Sequence, residues 1–276
     1  MKTITGIIFL TAVFMFSACK PVQKELTYES PDMKIIFLHH STGQNVWYGD
    51  VKQGQRFSFK EQTCMVPRLL KEYNDQSGRK ISIEERAFPS GDPYKWKNYP
   101  FDYYNIWVKN AGPKPFMEEP TLEMLTPDYD VIVFKFCFPY SNILADDGQA
   151  DINSEKKTLA NYQLQYEALK EKMHSFPETR FIVWTGAALV ENQTNEENAG
   201  RAVEMADWVK NTWDEEGDNI TIFDFRSIET EGGLYLKPEY AVGPDDSHPN
   251  MTLSARAAEL FVAELINITE KEFKNL

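Results

Sequence analysis

The sequence predicts an α/β domain built on a parallel sheet. Short runs of apolar and β-branched residues alternate with stretches of helical periodicity. That alternation calls for parallel strands joined by right-handed crossovers. Several of the runs are continuously apolar, as strands covered on both faces are. The chain has 276 residues, enough for one large core without a second domain.

The first residues read as an address. Lys2 is followed by an apolar run over 7–16 and then by Ser17-Ala18-Cys19. A run this short with a small-residue exit fits a secretory signal rather than a membrane span. Small residues directly before a cysteine resemble the bacterial lipobox, in which the cysteine is acylated and becomes the new N-terminus. Phe16 stands where that motif usually has Leu. The expectation is a signal peptide over 1–18, lipidation at Cys19, a polar tether over 19–31 and one domain over 32–276. The protein would then be anchored by lipid at the bacterial cell envelope.

Five runs are expected as strands: 34–38, 81–86, 130–136, 180–185 and 219–225. Between them, 61–75 has near-helical apolar spacing, with Pro67 placed to sit in a first turn or to kink the helix. Leu159, Tyr162, Tyr166, Leu169 and Met173 form one helical stripe. Ala202, Met205, Val209 and Trp213 form another, and Leu253, Ala257, Leu260, Phe261 and Leu265 a last one. Two segments, 44–60 and 92–128, are too long for tight connections, and such loops are usually functional or disordered.

Composition narrows the function. Lys and Arg total 29 against 42 Asp and Glu, a net charge of −13. That argues against a general nucleic-acid binder, which needs a basic footprint. The 3 cysteines are too few for a disulfide scaffold. Cys64 and Cys137 either pair or stay as buried thiols, and the apolar run around Cys137 favours thiols.

Ligands of open α/β sheets bind beyond the carboxyl ends of the strands. The segments expected there are His39-His40-Ser41-Thr42-Gly43, Pro89-Ser90-Gly91-Asp92, Cys137 to Asn142, and, before the last helix, Asp245-Asp246-Ser247-His248-Pro249-Asn250. They supply the parts of a nucleophilic triad. Ser41 is the candidate nucleophile and His248 its base near neutral pH. Asp245 and Asp246 compete to orient the imidazole, and a turn at three-residue spacing selects Asp245. Candidate oxyanion donors are the Ser41 amide, Gly91 and Asn142. Ser41 as a helix N-cap is the bland alternative.

These blocks resemble those of the SGNH (GDSL-type) hydrolases, over roughly residues 33–268. Asp245 to His248 is similar to the family's terminal Asp-x-x-His block, and Ser90-Gly91-Asp92 to its glycine block. His-His-Ser-Thr-Gly replaces the usual Gly-Asp-Ser and resembles a divergent branch of the family. Phe136-Cys137-Phe138 stands where the family has Gly-x-Asn-Asp, with Asn142 four residues late. The resemblance implies a flavodoxin-like three-layer α/β/α sandwich, with strand order 2-1-3-4-5. It implies ester hydrolysis through a serine ester, on lipids, thioesters or acetylated sugars. No metal or organic cofactor is expected.

His39 and His40 with Asp245 and His248 include metal-ligand types. Adjacent residues at a strand end point apart, however. His40 is instead expected to line the pocket or contact substrate. His174 is expected at the surface. The segment Tyr94, Trp96, Tyr99, Phe101, Tyr103, Tyr104 and Trp107 either walls the pocket or fills the core. Trp96 and Tyr99 are the candidate substrate contacts from it. With an envelope address, a carbohydrate O-acetyl ester is the favoured substrate. The competing expectation is a surface glycan-binding lipoprotein that keeps the fold without the chemistry.

Overall fold

The structure, a computed structural model, describes residues 31–51, 64–95 and 97–275. The signal peptide, Cys19, the tether before Pro31, and Trp96 lie outside the described residues.

Five strands form one sheet in the order β2-β1-β3-β4-β5. They are β1 (Met33–His39), β2 (Ile81–Ala87), β3 (Val131–Phe134), β4 (Arg180–Trp184) and β5 (Ile220–Phe223). Every neighbouring pair is parallel, with Ile35 of β1 beside Ile83 on one side and Val131 on the other. The order reverses at β1, so β1 and β3 leave their common edge toward opposite faces. That switch point makes a crevice at the carboxyl ends of the strands.

Period-2 alternation divides the core. Ile36 and Leu38 join Ile132, Phe134, Phe181 and Val183 on one face, and Ile35 and Phe37 join Val131, Val133, Ile182 and Trp184 on the other. The second face is covered by α1 (Ser41–Tyr48), α2 (Met65–Ser77), α7 (Phe225–Thr230) and α8 (Met251–Asn275). The first is covered by α3 (Pro100–Tyr103), α4 (Leu122–Leu125), α5 (Leu159–His174) and α6 (Glu196–Trp208). π-helical turns extend α3 over Tyr104–Lys109 and α6 over Val209–Trp213.

The expected strands and sheet order are present, and the architecture is the three-layer sandwich. Pro67 is the third residue of α2, where a missing amide costs no intrahelical bond. The segment 92–128 is not one loop, because its aromatics find the core. Tyr103 and Trp107 are fully buried and pack edge-on at 4.9 Å. Cys64 and Cys137 are buried thiols with no disulfide between them. Among the elements not expected are α1, which takes up residues 44–48 of the segment read as a long connection, α7, and an antiparallel hairpin of β6 (Ala241–Gly243) and β7 (Asp246–Pro249) just before α8. Among the described residues no helix is long and apolar enough to cross a membrane.

Phe37 is the keystone of the second layer. It is fully buried, with ring centroids 5.0 Å from both Trp184 and Phe261. Phe37→Ala removes that ring from the middle of a close-packed layer. Urea titration should show a loss of about 3–5 kcal/mol. A loss below about 1 kcal/mol would mean that the layer collapses around the gap.

Candidate active site

The β1–α1 junction sets the position of Ser41. His40 is the N-cap, with extended backbone (φ −124°, ψ −161°) and no side-chain cap bond. Ser41 is therefore the first residue of the helix proper and not its cap. Its amide has no intrahelical partner by position, and its hydroxyl stands at the carboxyl edge of the sheet. The turn is tight, because a β-carbon on Gly43 would lie 2.5 Å from His39 Cβ. Glycine at the end of the His-His-Ser-Thr-Gly run is thus a packing requirement.

The late end of the chain meets Ser41 from β7. His248 Nε2 lies 2.8 Å from Ser41 Oγ, and His248 Nδ1 lies 2.6 Å from Asp246 Oδ1. The same carboxylate oxygen accepts the His248 backbone N–H at 3.0 Å, the local bond of an Asx turn. Phe138, just past β3, meets the imidazole edge-on at 4.9 Å. Partial burial would raise the Asp246 carboxyl, but the amide and ring of His248 more than offset it and hold the group below the usual carboxylate range.

The orienting contact therefore corrects the expectation from Asp245 to Asp246. Residues 245–248 are not a helical turn. β7 is extended, so residues two apart share a side, and Asp246 stands beside the His248 ring that reaches Ser41. Asp245 is directed elsewhere, its Oδ1 accepting from Asn192 Nδ2 at 3.0 Å and its carbonyl from Gln193 Nε2 at 2.6 Å.

Among the described residues, Asn142 makes no contact with Ser41, Asp246 or His248. Its Oδ1 accepts from Thr194 Oγ1 at 3.1 Å and Asn198 Nδ2 at 2.8 Å, toward α6. A short 3-10 turn over Phe138–Ser141 carries it past the rim. The Ser90–Gly91 backbone folds around Glu119. Ser90 donates its amide at 2.6 Å and its hydroxyl at 2.7 Å to Glu119 Oε1, and the Gly91 amide also faces that carboxylate.

His40 is buried rather than lining an open pocket. Burial pushes it down to about 4, against an opposing bond to the Pro89 backbone, so the ring is neutral at physiological pH. His39 faces away, its Nε2 2.8 Å from Glu85 Oε2 and its Nδ1 2.9 Å from the His40 carbonyl. The two histidines do not converge on one point. Tyr99 is half-buried, with Lys157 Nζ 5.2 Å from its ring centroid. Three side chains at the opposite edge of the sheet, His174, Glu215 and Asp218, bring ligand-type atoms within 4.8 Å of one another. Protein partners already occupy them: His174 bonds Asp218 at 2.8 Å, and Lys170 bonds Glu215 at 2.8 Å.

Several residues at the site carried no recognisable signal in the sequence. Cys137 Sγ lies 3.9 Å from Ser41 Oγ and 3.7 Å from Thr42 Oγ1. Asn98, fully buried, accepts the Cys137 amide at 2.6 Å and donates to the Phe88 carbonyl at 2.7 Å. It thereby ties the end of β2 to the end of β3. Below them, Lys135 and Glu229 are fully buried and Arg226 nearly so. Burial pushes the Glu229 carboxyl up to about 8, against the Ala188 amide, Lys135 and Arg226.

No protein-family model matches the chain, and no curated protein matches it. Solved structures do. An α/β hydrolase from the metagenome of Lake Arreo aligns over 86% of this chain and 96% of its own, at 12% identity and a TM-score of 0.51. The acetylxylan esterase Axe2 of Geobacillus stearothermophilus aligns over 85% and 94%, at 13% identity and a TM-score of 0.50. A lipase/acylhydrolase from Enterococcus faecalis aligns over 84% and 95%, at 15% identity and a TM-score of 0.47. The chain is similar in fold to the first two of these, and its strand order is the one the SGNH resemblance implied.

Glu229 gives this region a pH signature. The folded chain keeps its carboxyl protonated up to about pH 8, whereas the unfolded chain releases that proton near the ordinary value of about 4.3. Between those limits the folded state binds more protons, so this group makes stability fall as pH rises. Glu229→Gln mimics the neutral form. In chemical denaturation at several pH values, the variant should equal the wild type near pH 4.5 and exceed it increasingly toward pH 8. A variant less stable at pH 8 than at pH 4.5, relative to wild type, would mean the carboxylate is buried ionised.

Proposed function

We propose that the protein is a serine-dependent carboxylic-ester hydrolase, with Ser41 as nucleophile, His248 as general base and then acid, and Asp246 as the residue that orients His248. The observation that carries this reading is the continuous relay of two short hydrogen bonds, 2.8 Å and 2.6 Å, across Ser41, His248 and Asp246. A serine hydroxyl is a weak nucleophile until a base takes its proton. With Asp246 fixing the proton on Nδ1, Nε2 is the acceptor that faces Ser41.

The steps follow from this arrangement. Ser41 Oγ attacks the ester carbonyl carbon as its proton passes to His248 Nε2. The imidazolium is stabilised by Asp246. The carbonyl oxygen becomes anionic beside the unpartnered Ser41 amide, at the positive end of α1. Collapse of the intermediate breaks the bond to the alcohol, which leaves with the proton from His248. Water then attacks the acyl-serine, gives its proton to His248, and releases the acid and free Ser41.

The substrate class we favour is a carbohydrate O-acetyl ester at the cell envelope. Support comes from the lipobox-like start at Cys19, from the half-buried Tyr99 ring next to Asn98, which bonds the Cys137 amide, and from the acetylxylan esterase among the structures of similar fold. The glycan-binding alternative gives no reason for an aligned relay, since binding alone does not require one.

Turnover of short aryl acetates and acetylated glycans tests the assignment. Ser41→Ala should lower kcat by about 10³-fold or more. Asp246→Asn should lower it by about 10²- to 10⁴-fold, because the amide no longer enforces the tautomer. Asp245→Asn should stay within a few-fold of wild type. A deficit in Asp245→Asn larger than that in Asp246→Asn would overturn the orienting assignment. Wild-type Ser41 left unmodified by a fluorophosphonate, with acetylated glycans bound but not turned over, would favour the binding protein.

A further inference from the structure

We propose that the Cys137 thiol is a catalytic residue of this site, and that its S–H donates to the substrate's acyl oxygen as negative charge builds there. The inference rests on the esterase reading and deepens it.

The argument is an inventory of protons. Cys137 is nearly fully buried, and among the described residues its sulfur has three polar neighbours. They are Thr42 Oγ1 at 3.7 Å, Lys135 Nζ at 4.0 Å and Ser41 Oγ at 3.9 Å. Thr42 and Lys135 both direct protons at the sulfur, which accepts from them. Ser41 has a single proton, and that proton is held toward His248 Nε2 at 2.8 Å. The thiol has one proton and one neighbour left to receive it, Ser41 Oγ. At rest the S–H therefore points at the nucleophile.

The same direction serves the reaction. When Oγ bonds the acyl carbon, the acyl oxygen hangs from that carbon next to Oγ. A donor already aimed at Oγ needs only a small rotation to reach it. The sulfur also lies against the first two residues of α1, where the Ser41 amide lacks an intrahelical partner. Thiol and amide thus share one corner, at the positive end of the helix. The place is held rigidly: the Cys137 amide donates to Asn98 Oδ1 at 2.6 Å, and Asn98 is fully buried. The Gly91 amide, another candidate donor, faces Glu119, and the Asn142 side chain is turned toward Thr194 and Asn198 through its accepting Oδ1. The His248 imidazole is bonded to Ser41 and not to the sulfur. Ser41 keeps the nucleophilic role.

A thiol is a weak donor, and that sets the expected size of the effect. Removing one strong oxyanion donor costs about 10²- to 10³-fold in kcat, and a weaker one should cost about 10- to 100-fold. The full-length wild type, Cys137→Ala and Cys137→Ser are compared with an aryl acetate and with an aryl trifluoromethyl ketone. The ketone forms an anionic adduct on an active serine and so reports the charged state alone. In Cys137→Ala, kcat should fall about 10- to 100-fold with KM nearly unchanged, and the ketone should bind more weakly by the same factor. Cys137→Ser keeps a donor and should recover to within a few-fold of wild type on both measures.

A purely structural cysteine predicts a different pattern. Serine would then be no better than alanine, and ketone affinity would not track kcat; either result overturns the proposal. Full activity in Cys137→Ala, with activity lost in Ser41→Ala, overturns the thiol's role and leaves the esterase reading standing. Acylation of Cys137 itself in Ser41→Ala, read by peptide mass spectrometry after exposure to the aryl acetate, would reassign the thiol as a nucleophile and overturn the donor role. A wild type without turnover, and with Ser41 inert to fluorophosphonate, removes both.

Discussion

The site depends on one hydrogen bond between residues 207 positions apart, Ser41 and His248. Neither residue can be placed without the rest of the fold. Ser41 is fixed by β1, which is paired on both sides, and by the first turn of α1. His248 is fixed by the hairpin and by α8, which packs on α1 and α2 across the second core layer. The aromatic stack of Phe37, Trp184 and Phe261 lies beneath both. Packing far from the chemistry therefore sets its distances. An error of an ångström there is enough to uncouple a nucleophile from its base.

The fold was largely legible, because it rests on periodicity. Continuous apolar runs became strands buried on both faces, and the stripe at 159–173 became α5. The aromatic segment was ambiguous for a physical reason. Tyr and Trp suit a glycan wall and a core equally by composition, and only the position of α3 against β3 decides for the core, as with Tyr103 beside Phe134 at 5.1 Å. The strand ends were less legible, because propensity does not report where a buried strand stops pairing.

The site was legible in its chemistry and less so in its fine placement. Ser41 and His248 stood out because hydroxyl and imidazole fell just beyond expected strands. The carboxylate was misplaced by one residue, and one residue is decisive in an extended chain. A spacing of three suits a helical turn, whereas a spacing of two suits a strand, where it puts both side chains on one side. The choice turned on β7, which pairs with β6 over only a few residues and left no clear alternation to read. Asn142 was misplaced for a similar reason, since the turn at Phe138–Ser141 has no strong sequence signature beyond Pro139.

The edge of β3 departs furthest from an ordinary α/β strand, and its polar groups have a common logic. Lys135 directly follows an all-apolar strand and is fully buried, its Nζ donating to the Phe136 carbonyl at 3.1 Å. A buried amine or carboxyl is costly unless hydrogen-bonded or neutral. Burial lowers the Lys135 amine and raises the Glu229 carboxyl, so each is driven toward its uncharged form. Each such shift lessens the desolvation cost that a buried ion carries. On the esterase reading, dipoles that do not titrate, such as the α1 amides, act on the charge that develops at Ser41. In that setting small donors count for more than they would in water, because the local dielectric is low. On the esterase reading, the apolar layer under the strand ends is the setting that strengthens the few hydrogen bonds aimed at the ester above it.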